Sequence, residues 1–167
     1  ADGSSFGVSK VKNADRLAPA LRVAFMESNE VMIEKFIDGV EISQGIYKTR
    51  DKEVVLPATE VVTKNEFFDY DAKYNGQVQE ITPARLSPET AGKVAAETCR
   101  IYDILHANGI IRIDYIIAKD EQGNDLIYML EINTTPGMTA TSFIPQQVRA
   151  AGLDIKDVLS EIVENQF

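Results

Sequence analysis

Between Ile111 and Phe143 the chain carries two polar signatures, Arg112-x-Asp114 and Glu131-x-Asn133, set in apolar alternating stretches. Alternation of this kind is the pattern of a half-buried strand. In the first stretch Ile111, Ile113, Tyr115 and Ile117 share one face, and Arg112, Asp114, Ile116 and Ala118 share the other. In the second, Ile127, Met129, Glu131 and Asn133 share a face, opposite Tyr128, Leu130 and Ile132. The intervening AKDEQGND is rich in turn formers, so the pair predicts a β-hairpin. A two-residue turn at Gln122 and Gly123 would set Glu121 opposite Asn124, Asp114 opposite Glu131 and Arg112 opposite Asn133. Opposed Cβ atoms lie roughly 4.5–5.5 Å apart, and two bare carboxylates at that distance repel, so a positive group is expected between them. Hard oxygen donors with room for water and phosphate suit Mg2+. The same alternation also describes a solvated hairpin face whose charges do no chemistry.

Other chemistry-bearing residues are scattered. The opening ADGSSFGVSK is a glycine-serine loop that could approach phosphate through backbone N–H groups or serve only as a flexible connection. Glu34 lies on a mostly apolar segment, where a carboxylate needs a donor, although an edge strand charged for solubility is the plainer reading. Residues 65–76, NEFFDYDAKYNG, hold four aromatics without a steady period, which predicts an irregular loop packed by its own side chains. Cys99 is the only cysteine, so no internal disulfide or thiolate cluster is possible, and its helical setting predicts a packed thiol. His106, the only histidine, falls near a predicted helix end, where it would complement the dipole.

The elements that must position these residues follow from period and punctuation. Asn13 is a plausible cap for a helix carrying Leu17, Leu21, Ala24 and Phe25, with Pro19 arguing for a later start, and this helix is expected to cover a sheet. Glu30 to Ile37 reads as a strand, and Asp38-Gly39 as a two-residue turn into a strand from Val40 to Lys48, which sets Phe36 opposite Glu41. Residues 51–63 predict a turn and a strand, and Val78 to Thr82 a short strand. Ser87 followed by Pro88 opens a helix whose stripe is Ala91, Val94, Ala95, Thr98, Ile101, Tyr102 and Leu105, ending near Asn108-Gly109. Val148 to Ala151 and Asp154 to Val163 predict two short helices, the second with Val158, Leu159, Ile162 and Val163 inward. No repeat, low-complexity tract or linker interrupts the chain.

At 167 residues the chain is one domain's worth, read as a single α+β unit spanning 1–167. A net charge of -9 with no Lys or Arg cluster argues against a nucleic-acid partner. No run approaches the ~18 apolar residues of a membrane span, and no signal peptide is recognised, so no membrane association and a cytoplasmic location are expected.

Taken together, Arg112-x-Asp114, Glu131-x-Asn133-Thr-x-Pro136-Gly137-Met138-Thr139 and Ser142-Phe143-Ile144-Pro145 closely resemble the carboxy-terminal part of the D-alanine-D-alanine ligases of the ATP-grasp fold. The likeness spans nearly the whole chain. It implies a carboxy-terminal ATP-grasp subdomain, a mainly antiparallel sheet covered by helices, with amino-terminal and central domains supplied by a longer enzyme. The implied activity is ATP-dependent joining of two D-alanines through an acyl phosphate, for peptidoglycan precursors; the alternatives are another ATP-grasp carboxylate-amine ligase and a Mg-nucleotide-binding fragment without turnover. The intact enzyme would be a homodimer and this portion inactive alone. The resemblance further implies that Asp114, Glu131 and Asn133 hold two Mg2+ ions, with Mn2+ as a substitute. Arg112 would stabilise the oxyanion, and Gly137 would offer a backbone N–H nearby. Ser142 and Phe143 would hold the carboxylate of the second D-alanine. Glu34, Lys35, Phe36 and Ile37 match the adenine-binding segment, and Glu41 the carboxylate on the ribose. Gly3-Ser4-Ser5-x-Gly7 resembles the family's serine loop, with Ser4 as its positioning hydroxyl. Phe67, Lys73 and Tyr74 resemble the loop that contacts the nucleotide phosphates and bonds to Ser4. Lys73-Tyr74 also sets this chain apart from the D-lactate-using branch, which carries a histidine near that place. Thr141 stands where many members have histidine, a departure that bears on contacts to the substrate.

Overall fold

In the computed structural model the described residues are 6–63 and 78–167. The chain divides into two compact units, Ala1–Ile37 with Thr63–Gln79 and Asp38–Val62 with Glu80–Phe167.

The second unit is built on β1 (Val40–Lys48), whose residues Ile42 to Tyr47 are all buried. β5 (Ile110–Lys119) lies along one edge of β1, with Glu41 opposite Ile116, Ser43 opposite Asp114 and Gly45 opposite Arg112. Along the other edge β3 (Thr59–Thr63) pairs with Glu41 to Ser43, and β2 (Glu53–Val55) with Ile46 to Lys48. β4 (Val78–Ile81) and β6 (Asp125–Asn133) complete the sheet, in the order β4-β3-β1-β5-β6 with β2 beside β1. The pairings of β1 and of β5 are all antiparallel.

Helices cover both faces of this sheet. α2 (Pro88–Ile104) starts where expected, with Ser87 Oγ accepting the Thr90 N–H at 3.1 Å and Pro88 at the first helical position. Its Val94, Ile101 and Tyr102 pack on Ile42, Ile46, Ile111, Ile113, Tyr115 and Ile117. On the opposite face α3 (Phe143–Ala150) and α4 (Ile155–Glu164) bring Ile144, Val148 and Val158 against Tyr47, Leu56 and Ile110. Full burial of each such aliphatic side chain contributes about 1.5–3 kcal/mol, so these two clusters dominate the unit's stability. α3 begins five residues earlier than its apolar period suggests, and Leu159 and Val163 of α4 stay largely exposed while Val158 is buried.

The hairpin of β5 and β6 forms, but with a different turn. The Asp120 carboxylate accepts the N–H groups of Gln122 and Asn124, Gly123 sits at φ +84°, and Lys119 pairs with Asp125. Side-chain acceptance by Asp120 and the left-handed glycine favour a three-residue loop over the two-residue turn. That slip of one residue would bring Leu130 opposite Asp114. Instead Tyr115 pairs with Met129 and Asp114 with Glu131, leaving Leu130 as a bulge, so the expected register is restored at the polar end.

The first unit holds a 3-10 turn, Ala14–Arg16, and α1 (Leu17–Glu27). Asn13 caps the 3-10 turn without a side-chain bond, α1 itself starts later, at Leu17, and Pro19 falls in its first turn. None of the α1 residues is buried. The predicted strand from Glu30 to Ile37 is irregular backbone, and the Asp38-Gly39 hairpin is absent. Both edges of β1 are already occupied at Glu41, by Ile116 and by Val61, which leaves no ladder for Phe36 to join. Lys10 Nζ stands 3.6 Å from the centroid of the Phe36 ring. Among the described residues, no helix is long and apolar enough to cross a membrane.

Candidate functional site

Three strands lay out the site as successive rungs on one face of the sheet of the second unit. Pairing across β1, β5 and β6 aligns Glu41 with Ile116 and Tyr128, Ser43 with Asp114 and Glu131, and Gly45 with Arg112 and Asn133. Because side chains two apart share a face, the predicted ribose carboxylate, metal ligands and arginine line up along one surface. α3 and α4 cover only the end near Tyr47 and Ile110, while Ile116 is half-buried and Tyr128 exposed.

The positive group expected between the carboxylates is Arg112 itself. Its Nε donates to Asp114 Oδ1 at 2.9 Å and its Nη2 to Asp114 Oδ2 at 2.8 Å, and Nη2 stands 3.7 Å from Glu131 Oε1. Such a two-point guanidinium-carboxylate pair fixes orientation as well as charge. Ser43, 1% exposed, donates its hydroxyl to Asp114 Oδ1 at 2.6 Å. The Arg112 guanidinium carbon lies 5.4 Å from the centroid of Phe143, the first residue of α3. Arginine has five N–H donors and Asp114 takes two, which leaves others for an oxyanion.

The oxygens here suit a hard cation. A carboxylate offers about four lone-pair positions, and Asp114 uses three of them, on Ser43 and Arg112. The Glu131 side chain is 67% exposed and makes a long contact to Arg112. Asn133 Oδ1 accepts the Thr135 N–H at 3.1 Å and keeps a second lone pair. Among the described residues no group of three or more His, Cys, Asp and Glu converges, so a divalent ion held here would draw on the Asn133 amide and on substrate oxygens.

At the start of α3, Ser142 is the N-cap residue, yet its side chain makes no capping bond and its Oγ lies 2.8 Å from Thr139 Oγ1. A Cβ on Gly137 would come within 2.9 Å of Ser142 Oγ, which makes the two immediate neighbours. Arg112, Asp114, Glu131, Asn133, Glu41 and Phe143 are thus assembled on or beside one face, and Gly137 meets Ser142 at the mouth of α3. Glu34, Lys35, Phe36 and Ile37 belong to the first unit, where Glu34, Lys35 and Phe36 are exposed. Ser4, Phe67, Lys73 and Tyr74 lie outside the described residues.

Sequence reasoning missed Ser43, Gly45 and Gln147, the residues that support this surface from β1 and α3. The signal for Ser43 was its spacing of two from Glu41, which is informative only once β1 is known to lie beside β5. Cys99 is a packed thiol as expected: it donates to Glu53 Oε1 at 3.0 Å, and burial, with Glu53 beside it, pushes its pKa up to about 11.

The family model described as D-ala D-ala ligase C-terminus matches residues 1–164. The chain belongs to this family. It is 66% identical over its full length to the D-alanine-D-alanine ligase of Phocaeicola vulgatus and 64% identical over 99% of its length to that of Bacteroides fragilis, covering 50% of each relative. The chain therefore spans about half the length of the curated relatives it matches. Among solved structures, D-alanyl-alanine synthetase A of Vibrio cholerae superposes with a TM-score of 0.79 at 28% identity, over 98% of this chain and 49% of the other. A D-Ala:D-Ser ligase of Enterococcus faecalis gives 0.80 at 29% identity, over 99% and 47%. The D-alanine-D-alanine ligase of Bacillus anthracis complexed with ATP gives 0.71 at 33% identity, over 93% and 48%. The α+β architecture, an antiparallel sheet under helices, is that of these ligases.

Proposed function

We propose that this chain is the nucleotide-, metal- and acceptor-binding portion of a cytoplasmic ATP-dependent D-alanine-D-alanine ligase that serves peptidoglycan precursor synthesis. The observation that carries the reading is the alignment of Glu41, Asp114, Glu131, Asn133 and Arg112 on one face, with Phe143 of α3 stacked beside Arg112. A ligase of this kind activates a poor acyl donor. A carboxylate oxygen of the first D-alanine attacks the γ-phosphorus of ATP, the bond to the β-γ bridging oxygen breaks, and ADP leaves. The amine of the second D-alanine then attacks the acyl carbon, the carbon-oxygen bond to phosphate breaks, and the nitrogen gives up its proton.

Arg112 donates to the oxyanion that develops on the acyl carbon, with the Gly137 N–H beside it. Asp114, Glu131 and Asn133 hold Mg2+, whose chemistry is to neutralise charge on the transferring phosphate, with Mn2+ as a substitute. Ser142 and Phe143 receive the carboxylate of the second D-alanine at the N-terminal end of α3, where uncapped N–H groups and the dipole favour an anion. Glu41 takes the ribose hydroxyls, and Glu34, Lys35, Phe36 and Ile37 the adenine. Phe67 and Lys73 serve the nucleotide, and Ser4 and Tyr74 close over it. The active protein is a homodimer of the longer chain, and the portion described here is inactive alone.

The test is an assay of the full-length protein for phosphate release from Mg-ATP across a panel of D- and L-amino acids. The expected result is release that requires D-alanine and yields the dipeptide. Release with D-serine as the preferred acceptor would move the protein to the D-Ala:D-Ser branch, and no amino-acid-dependent release would overturn the reading. Titration with a non-hydrolysable ATP analogue should show binding that needs Mg2+ and is lost in Glu131→Ala.

A further inference from the structure

We propose that Gln147 is a positioning residue for this reaction, one that sets where the start of α3 stands against β1 and the Asp114-Arg112 pair. The proposal rests on the functional reading above.

On β1 the register with β3 ends at Ser43 and that with β2 begins at Ile46, and between them the Leu56 N–H donates to the Gly45 carbonyl at 2.9 Å. Gln147 bonds to the backbone of β1 at this junction. Its Oε1 accepts the Gly45 N–H at 2.8 Å, and its Nε2 donates to Ser43 C=O at 2.9 Å and to Thr59 Oγ1 at 3.1 Å. A side-chain amide offers the same donor and acceptor as a peptide group, so it can bond to strand backbone as another strand would. Gln147 and Thr59 are both 0% exposed, so no water competes for these bonds. Gly45 makes the approach possible, since a Cβ there would come within 2.8 Å of Gln147 Oε1 and 2.5 Å of Ile144 Cδ1.

Both ends of this amide lead to the site. On the strand side it grips the backbone of Ser43, whose hydroxyl holds Asp114 Oδ1. On the helix side Phe143 lies four residues before Gln147, on the same helical face, and packs beside the Arg112 guanidinium. Gln147 thereby ties the acceptor end of the site to the metal and oxyanion end. Loss of the amide would let α3 shift, and displacements of about 1 Å can change rates or binding by orders of magnitude.

The test uses the full-length protein and compares Gln147→Met, Gly45→Ala and Val158→Ala with wild type. Gln147→Met removes the amide at similar volume. Gly45→Ala pushes α3 away without removing any hydrogen-bonding group. Val158→Ala destabilises the same α3-α4 core through a cavity and touches none of this network. The first two variants should raise KM for the second D-alanine by about tenfold while leaving KM for ATP unchanged. Val158→Ala should lower Tm and leave both constants alone. If Gln147→Met lowers Tm but leaves KM for the second D-alanine at the wild-type value, Gln147 is structural only and the proposal falls. Should Gln147→Met fail to fold, an unchanged KM in Gly45→Ala overturns it equally. Wild-type protein that forms no dipeptide would overturn the functional reading itself, which the wild-type arm reports separately.

Discussion

Adjacent residues on the same two strands build two opposite kinds of buried polar cluster. On one face of the sheet Ser43 and Asp114 meet, and on the other Thr98 joins Gln44 to Tyr115. The first cluster is charged: Asp114 is gripped by Arg112 and Ser43, with Glu131 exposed at its rim and oxygens left with coordinating capacity. The second is neutral and closed. Tyr115 OH and Thr98 Oγ1 are 2.8 Å apart, Thr98 donates to Gln44 Oε1 at 2.9 Å, and Gln44 Nε2 donates to the Leu56 carbonyl at 3.1 Å. Since Thr98 has one proton, Tyr115 is the donor to it, and the relay ends on backbone. A sealed neutral chain specifies how α2 sits on the sheet, whereas an open charged pair can exchange partners with a ligand. Polarity at equal depth thus serves architecture on one face and chemistry on the other.

The sharpest way to break this contrast is Arg112→Ala in the full-length protein. With Arg112 as oxyanion donor, kcat should fall by about 10²–10³. Nucleotide affinity, measured by titration, should change little, and equal losses in both would remove the oxyanion role. Thr98→Val gives the reverse signature. It leaves Tyr115 OH and Gln44 Oε1 unpaired in the core, which should cost about 1–3 kcal/mol in denaturant unfolding while kcat and KM stay at wild-type values.

The smallest effect is the share of an alkaline pH dependence that the neutral cluster contributes through Tyr115. Burial pushes the Tyr115 hydroxyl from its ordinary pKa of 10.0 up to about 12 in the folded protein. Because the folded value is raised, the associated stability is fully present below pH 10.0 and is lost as pH rises through about 12. Tyr115→Phe should flatten the fall in stability across that window, measured by unfolding at fixed denaturant. An unchanged slope would mean that Tyr115 does not carry it.

Parts of this arrangement were legible before any tertiary information. Alternation over Ile111–Ile117 identified the strand and its polar face, Ser87-Pro88 announced α2, and the opposition of Asp114 to Glu131 followed from a hairpin. That last inference held through a cancellation, because a three-residue loop moved the register by one and the Leu130 bulge moved it back. The loop is longer than turn residues alone predict because the Asp120 side chain, and not only the glycine, selects the turn. The hairpin at Asp38-Gly39 failed for a different reason. A good local turn signal competes with better long-range partners, and β5 and β3 already hold β1.

Local chemistry thus assigned residue types, strand and helix periods, helix caps and the family, all properties carried by neighbouring positions along the chain. The choice of β5 and β3 as partners of β1 was made only in three dimensions, and with it came the Ser43 bond to Asp114 across 71 residues and the Gln147 bond to Ser43 across 104. Side-chain period is set by the backbone of each segment alone. Pairing is settled by which arrangement buries the most apolar surface with no polar group left unpartnered, and that depends on the whole fold at once.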